Sequence, residues 1–154
     1  MKLQQLICPE RVFLGLAAPN ARAALAVVAQ KVSGDLGLPA ENITQALLER
    51  EELGSTGVGH GFAIPHCKLH GISEIQLVVA QFPEGVDFHA VDQEPVVLMF
   101  VVLSPPDQPA AHLQILSQIA RILKREELRN DILAAGTAED LVAAVRHAAE
   151  VEGL

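Results

Sequence analysis

Gly54-Ser55-Thr56-Gly57-Val58-Gly59-His60-Gly61, running straight into Phe62-Ala63-Ile64-Pro65-His66, is the most informative stretch of this chain. Four of the eleven glycines fall within eight residues, yet apolar elements flank them closely, so this is no ordinary linker. Upstream, Pro19-Asn20 offers a helix start, and Leu25, Val28, Ala29 and Val32 follow at i, i+3, i+4 and i+7, one apolar stripe. Gly34 and Gly37 are expected to stop that helix, and Pro39 to open the next from its first turn, where a missing N–H costs nothing. Ile43, Ala46 and Leu47 form the second helix's buried face, and the same spacing then lands on Arg50. An arginine there either snorkels to water or reaches into a site.

Downstream, Ile75 to Phe82 and Val96 to Leu103 read as strands, the second apolar throughout, as in a central strand covered on both faces. Pro83 to Pro95 reads as loop with an edge segment near Val86 to Phe88, and Val12-Phe13-Leu14 as a short strand. Pro109 introduces a helix with His112, Ile115, Leu116, Ile119 and Leu123 inward. A further helix spans about Glu126 to Ala135, and Thr137 to Asp140 resembles a capping box opening a last one with Leu141, Val142 and Val145 inside. Helices around a few strongly apolar strands indicate an α/β sandwich, with the strand order left open.

At 154 residues the expectation is a single domain over 1–154, in line with a usual size of about 150 residues. Half the residues are hydrophobic, which excludes disorder over most of the length. The eight-residue run Val96 to Leu103 is too short to span a bilayer, and Gln4, Gln5, Glu10 and Arg11 interrupt any secretory core, so a cytoplasmic protein is expected. A formal charge of −8 argues against nucleic acid, because neutralising phosphates needs a basic face. Five Phe, with no Tyr or Trp, offer little for base stacking or sugar platforms.

Chemistry here is expected to run through imidazole, for His60, His66 and His70 lie within eleven residues. The glycine run can bring backbone N–H groups close to an anion, or serve as a tight connection needing positive φ. It is not a P-loop, since no Lys-Ser or Lys-Thr follows it. His66, held by Pro65, is placed either as a nucleophile, being largely neutral near pH 7, or as a hydrogen-bonded structural residue. His112, near a helix N-terminus, is expected to be neutral, donating one N–H to a phosphoryl oxygen or capping the core rim. His60, His66, Cys67 and His70 are metal-ligand types, but their spacing matches neither HExxH nor paired CxxC, so no metal is expected. His89 and His147 read as solvated, Ser55 lacks the GxSxG context of a nucleophile elbow, and Cys8 and Cys67 form no disulfide framework.

Leu47-Leu48-Glu49-Arg50-Glu51, Gly54-Ser55-Thr56-Gly57-Val58-Gly59 and Ala63-Ile64-Pro65-His66, then Val86-Asp87-Phe88, Pro95-Val96 and His112-Leu113, resemble the IIA domain of the bacterial phosphoenolpyruvate phosphotransferase system, fructose–mannitol type. Pro9-Glu10-Arg11-Val12 is similar to its nitrogen-regulatory branch. The resemblance covers nearly the whole chain. It implies a three-layer sandwich, a mixed β-sheet with helices on both faces. It implies that His66 accepts a phosphoryl group on its tele nitrogen from an HPr-type carrier, itself charged by enzyme I and phosphoenolpyruvate. His112 is then the second histidine, stabilising the phosphoryl group, Arg50 a charge stabiliser, and Gly54, Ser55, Thr56, Gly57 and Gly59 a phosphate-contacting loop, with no cofactor. The role implied is regulatory, with targets such as potassium transporters or sensor kinases. The alternatives are a sugar-specific IIA passing phosphate to a permease IIB domain, and an interaction module that leaves His66 unused. Three positions depart from the family pattern: Cys67 stands where glycine is common, Ala111 where threonine is, and His89 where the loop is usually acidic.

Overall fold

In the computed structural model, which describes residues 1–154, the elements follow in the order α1 (Leu3–Leu6), β1 (Val12–Phe13), α2 (Ala21–Leu36), α3 (Ala40–Glu52), β2 (Gly57–Gly59), β3 (Phe62–Ala63), β4 (His66–Lys68), β5 (Gln76–Val86), β6 (Val96–Ser104), α4 (Pro109–Leu123), α5 (Glu126–Ala134) and α6 (Ala138–Val151). The strands form one mixed sheet ordered β1-β5-β6-β3-β2, with β4 also paired to β6. β5 and β6 are antiparallel, whereas β3 and β4 run parallel to β6.

The all-apolar run of β6 is explained by its two covered faces. Successive side chains of a strand point to opposite sides. Leu98, Phe100 and Val102 therefore join one core with Ile115, Ile119, Leu141 and Val145 of α4 and α6, while Met99, Val101 and Leu103 join another with Leu25, Val28, Ile43 and Leu47 of α2 and α3. This is the three-layer sandwich with helices on both faces.

Several boundaries differ from the sequence reading. α2 runs through Gly34 and ends at Gly37, whose φ of 66° closes the helix with a left-handed cap. Pro39 is the residue before α3 rather than part of its first turn. β5 continues to Val86, through the stretch expected to be loop. Its ladder is interrupted between Gln81 and Val86, so Pro83 deprives no partner of a donor. The first residues, which show no period, form the one-turn α1, tied down by Leu3 N–H donating to Gln118 Oε1 at 2.9 Å.

The glycine run is a hairpin. β2 and β3 pair antiparallel, turning through His60 (φ 57°) and Gly61 (φ 85°). Gly57 is required by space: a Cβ there would sit 2.8 Å from Ala90 Cβ. β3 ends at Ala63 and β4 begins at His66, so His66 opens a strand. Ile64 and Pro65 bridge the two strands along the same edge of β6, with Val102 N–H donating to Pro65 O at 2.9 Å.

Candidate active site

His66 projects from the start of β4 into a cavity of about 410 Å³ lined also by Ala46, Glu49, Arg50, Leu53, Cys67, Lys68 and His112. Its Nδ1 lies 2.7 Å from Ile64 O. A carbonyl can only accept, so Nδ1 carries the proton and Nε2 is left with its lone pair. Arg50 Nε–H donates to that Nε2 at 3.2 Å. Burial holds the imidazole below its ordinary pKa; the Ile64 carbonyl opposes this, Arg50 adds to it, and Glu51 opposes it. The result is a neutral ring beside the cavity, with Nδ1 held by a carbonyl and the Nε2 lone pair by Arg50.

Arg50 stands in the last turn of α3, where the apolar stripe ends. Its guanidinium reaches across to β4 while Nη1–H donates to Gly54 O at 3.0 Å. The two bonds fix the fork between the glycine hairpin and His66. Glu51, one residue on, takes both Thr56 donors, N–H at 2.9 Å and Oγ1–H at 2.6 Å. That carboxylate clamps the end of α3 to the entry of the hairpin.

His112, 7% exposed, comes from the first turns of α4. Its ring centroid is 5.5 Å from that of His66, with the planes tilted by 56°. Burial lowers its pKa, and the neighbouring His66 and Lys68 lower it further. Its Nδ1 is 2.5 Å from the hydroxyl of Ser104, the last residue of β6.

Strand alternation explains the neighbours of His66. Lys68, two residues on, shares its side of β4 and brings a second cation to the cavity, whereas Cys67 is 6% exposed and packs into the core beneath α2 and α3. Burial pushes the Cys67 thiol up to about 12. Cys67 thus borders the cavity from the core side but offers no reactive thiolate there. Lys68 was missed in the sequence reading, although the period-two step from His66 marks it. Ser104 carried no local signal.

None of Gly54, Ser55, Thr56, Gly57 and Gly59 lines this cavity. Gly54 N–H donates to Glu51 O, Thr56 N–H to the Glu51 carboxylate and Gly57 N–H to Ser55 Oγ, while Ser55 Oγ–H donates to Phe88 O. The segment's part in the site, as it stands here, is to orient Arg50 through the Gly54 carbonyl. His60, with its N–H bonded to Asp92, and His70 are exposed and do not line the cavity. His89 and His147 are exposed too. No set of three or more His, Cys, Asp or Glu side chains converges as metal ligands. A nucleophilic imidazole nitrogen, two cations and a second imidazole around one open cavity suit the transfer of an anionic group to His66 Nε2.

The family model for the phosphoenolpyruvate-dependent sugar phosphotransferase system, EIIA 2, matches residues 5–148. A nitrogen regulatory protein of Pseudomonas aeruginosa is 38% identical over 142 residues, 92% of either chain. A fructose-specific EIIA component of Haloferax volcanii is 43% identical over 103 residues, 65% of this chain and 67% of its own. The crystal structure of nitrogen regulatory protein IIA-Ntr from Neisseria meningitidis matches with a TM-score of 0.87 at 26% identity, covering 93% of this chain and 98% of that one. The mannitol IIA of Escherichia coli shares the fold, with a TM-score of 0.75 at 21% identity over 90% of this chain and 98% of its own.

Proposed function

This chain belongs to the EIIA 2 family of the phosphoenolpyruvate-dependent sugar phosphotransferase system, and on that premise we propose that His66 accepts a phosphoryl group at Nε2 from the phosphohistidine of an HPr-type carrier. Enzyme I and phosphoenolpyruvate would charge that carrier. The observation that carries the reading is the orientation of His66. Ile64 O holds the proton on Nδ1, leaving Nε2, the tele nitrogen, as the nucleophilic atom of a ring that lines the cavity.

In the transfer, the Nε2 lone pair attacks phosphorus in line as the carrier's N–P bond breaks, and the bonding pair returns to the carrier's imidazole. The positive charge that develops on the His66 ring is shared with Nδ1–H, whose hydrogen bond to Ile64 O strengthens. Arg50, which occupies the lone pair in the resting state, exchanges that hydrogen bond for one to a phosphoryl oxygen. Lys68 and His112 supply further positive charge and N–H donation around the equatorial oxygens, where such transfers place their charge. The chemistry asks for positioning and electrostatics, and no nucleotide or metal enters any step.

The phosphorylation state then acts as a signal, adding charge and acceptor oxygens to a surface that partners dock against. The likeness to nitrogen regulatory proteins favours a regulatory output; targets such as potassium transporters or sensor kinases are proposed from the family resemblance alone. The likeness to a fructose-specific component favours a second reading, onward transfer to a permease IIB domain. Both share the His66 step and part only at the receiver.

The test is intact-protein mass spectrometry after incubation with phosphoenolpyruvate, enzyme I and an HPr-type carrier, comparing wild type with His66→Ala. One acid-labile phosphoryl group on the wild type and none on the variant is the expected result. No addition with several cognate carriers would leave an interaction module with His66 unused. Adding purified IIB domains then separates the two outputs, since rapid loss of the label to IIB marks a sugar route.

A further inference from the structure

We infer that Ser104 is a positioning residue for the proposed transfer, its hydroxyl proton holding His112 in the tautomer that carries hydrogen on Nε2. The inference rests on the phosphoryl-transfer reading for its consequence, but its geometry stands alone. Ser104 closes β6 with 0% exposure, and its Oγ has a single side-chain partner, His112 Nδ1 at 2.5 Å.

Two proton arrangements fit that distance. If Nδ1–H donated to Oγ, the buried serine hydroxyl would keep a proton with no acceptor within reach. Native interiors avoid leaving such a donor unmade. If the hydroxyl donates to Nδ1 instead, the serine's hydrogen is satisfied, and the ring's one proton must sit on Nε2. The buried, neutral state of His112 keeps it a one-proton ring, for which this choice matters.

The two imidazoles of the cavity therefore hold opposite tautomers, one enforced by a backbone carbonyl and the other by a side-chain hydroxyl. Ile64 O, between β3 and β4, is an acceptor and forces hydrogen onto Nδ1 of His66. Ser104, on the neighbouring β6, is a donor and forces hydrogen onto Nε2 of His112. One ring presents a lone pair and the other an N–H. A phosphoryl group arriving at His66 needs that complementary pair, a nucleophile and a neutral donor for an oxygen. Replacing Ser104 with a residue lacking a donor frees His112 to place its proton on either nitrogen and removes one of its orienting contacts.

The test reads the protons directly. In uniformly ¹⁵N-labelled protein, long-range ¹⁵N–¹H spectra near neutral pH are expected to show His112 with a bare Nδ1 and protonated Nε2, and His66 with the reverse. Ser104→Ala should shift the His112 Nδ1 resonance and mix the tautomers. It should also slow phosphoryl acceptance about tenfold, the loss of one hydrogen bond's contribution. Ser104→Thr, which keeps the hydroxyl, should restore both readouts. A wild-type spectrum with the proton on His112 Nδ1 would overturn the inference whatever happens at His66. So would a Ser104→Ala protein with unchanged His112 resonances and an unchanged rate. Failure of the wild type to accept phosphate at all would count against the His66 reading alone, since the spectrum decides the tautomer without any transfer.

Discussion

Replacing Arg50 with methionine keeps the length and apolar stem of the side chain while deleting the guanidinium. Two hydrogen bonds go with it, Nε to His66 Nε2 at 3.2 Å and Nη1 to Gly54 O at 3.0 Å. On the proposed mechanism the loss falls on the transition state, where the cation meets phosphoryl oxygens. A unit charge pair about 4 Å apart is worth about 4 kcal/mol at an effective dielectric of about 20. The cavity is open and Lys68 shares the load, so we expect about 2–3 kcal/mol, a fall of about 30- to 150-fold in the rate of acceptance. The assay is rapid-quench transfer from labelled carrier, with circular dichroism to verify the fold. A second readout follows from the resting state. Arg50 helps hold the His66 pKa down, so the variant should titrate at higher pH than wild type by NMR, although burial, the larger cause, remains. Arg50→Lys should fall between, restoring charge but not the fork between His66 and Gly54. A folded Arg50→Met protein that accepts phosphate within threefold of wild type, with its His66 titration unmoved, would refute the role given to this residue.

Cys67, buried and with its thiol pushed up to about 12, should resist alkylation in the native protein and react only on unfolding; peptide mapping after a short iodoacetamide pulse checks this. Gly57→Ala should destabilise the fold by about 1–3 kcal/mol in urea titrations, because the new methyl would meet Ala90 Cβ at 2.8 Å between backbone segments that cannot both yield. Acid should weaken the protein through its two site histidines. Both have folded pKa values lowered from about 6.5, so below that pH the unfolded chain binds more protons, and stability falls until pH drops through the folded values. Urea midpoints measured from pH 7.5 to 5 should decline less in a His66→Gln/His112→Gln double variant than in wild type.

Much of this molecule was legible from residue order, wherever the information was local. The apolar stripes of α2 and α4, the Asn20 and Thr137 caps and the two-sided apolar run of β6 are periodic or nearest-neighbour features, and they emerged where expected. His66 and Arg50 stood out because each broke its context, a histidine fixed behind a proline and an arginine closing an apolar stripe. Proton placement was another matter. That Nδ1 of His66 holds hydrogen depends on a carbonyl two residues away being turned inward as the chain passes from β3 to β4. The meeting of His66 with His112, forty-six residues apart, depends on both lying beside β6, a pairing no periodicity encodes. The glycine run shows the division most clearly. Its composition announces close backbone approach without saying to what, and in the folded chain its donors turn to Glu51 and Ser55 rather than to the cavity. Residue types and their spacing determine which secondary elements can form and which side chains are capable of chemistry. Only packing in three dimensions decides which hydrogen-bond partner each nitrogen meets, because it sets which carbonyl, helix end or neighbouring strand is turned toward the ring.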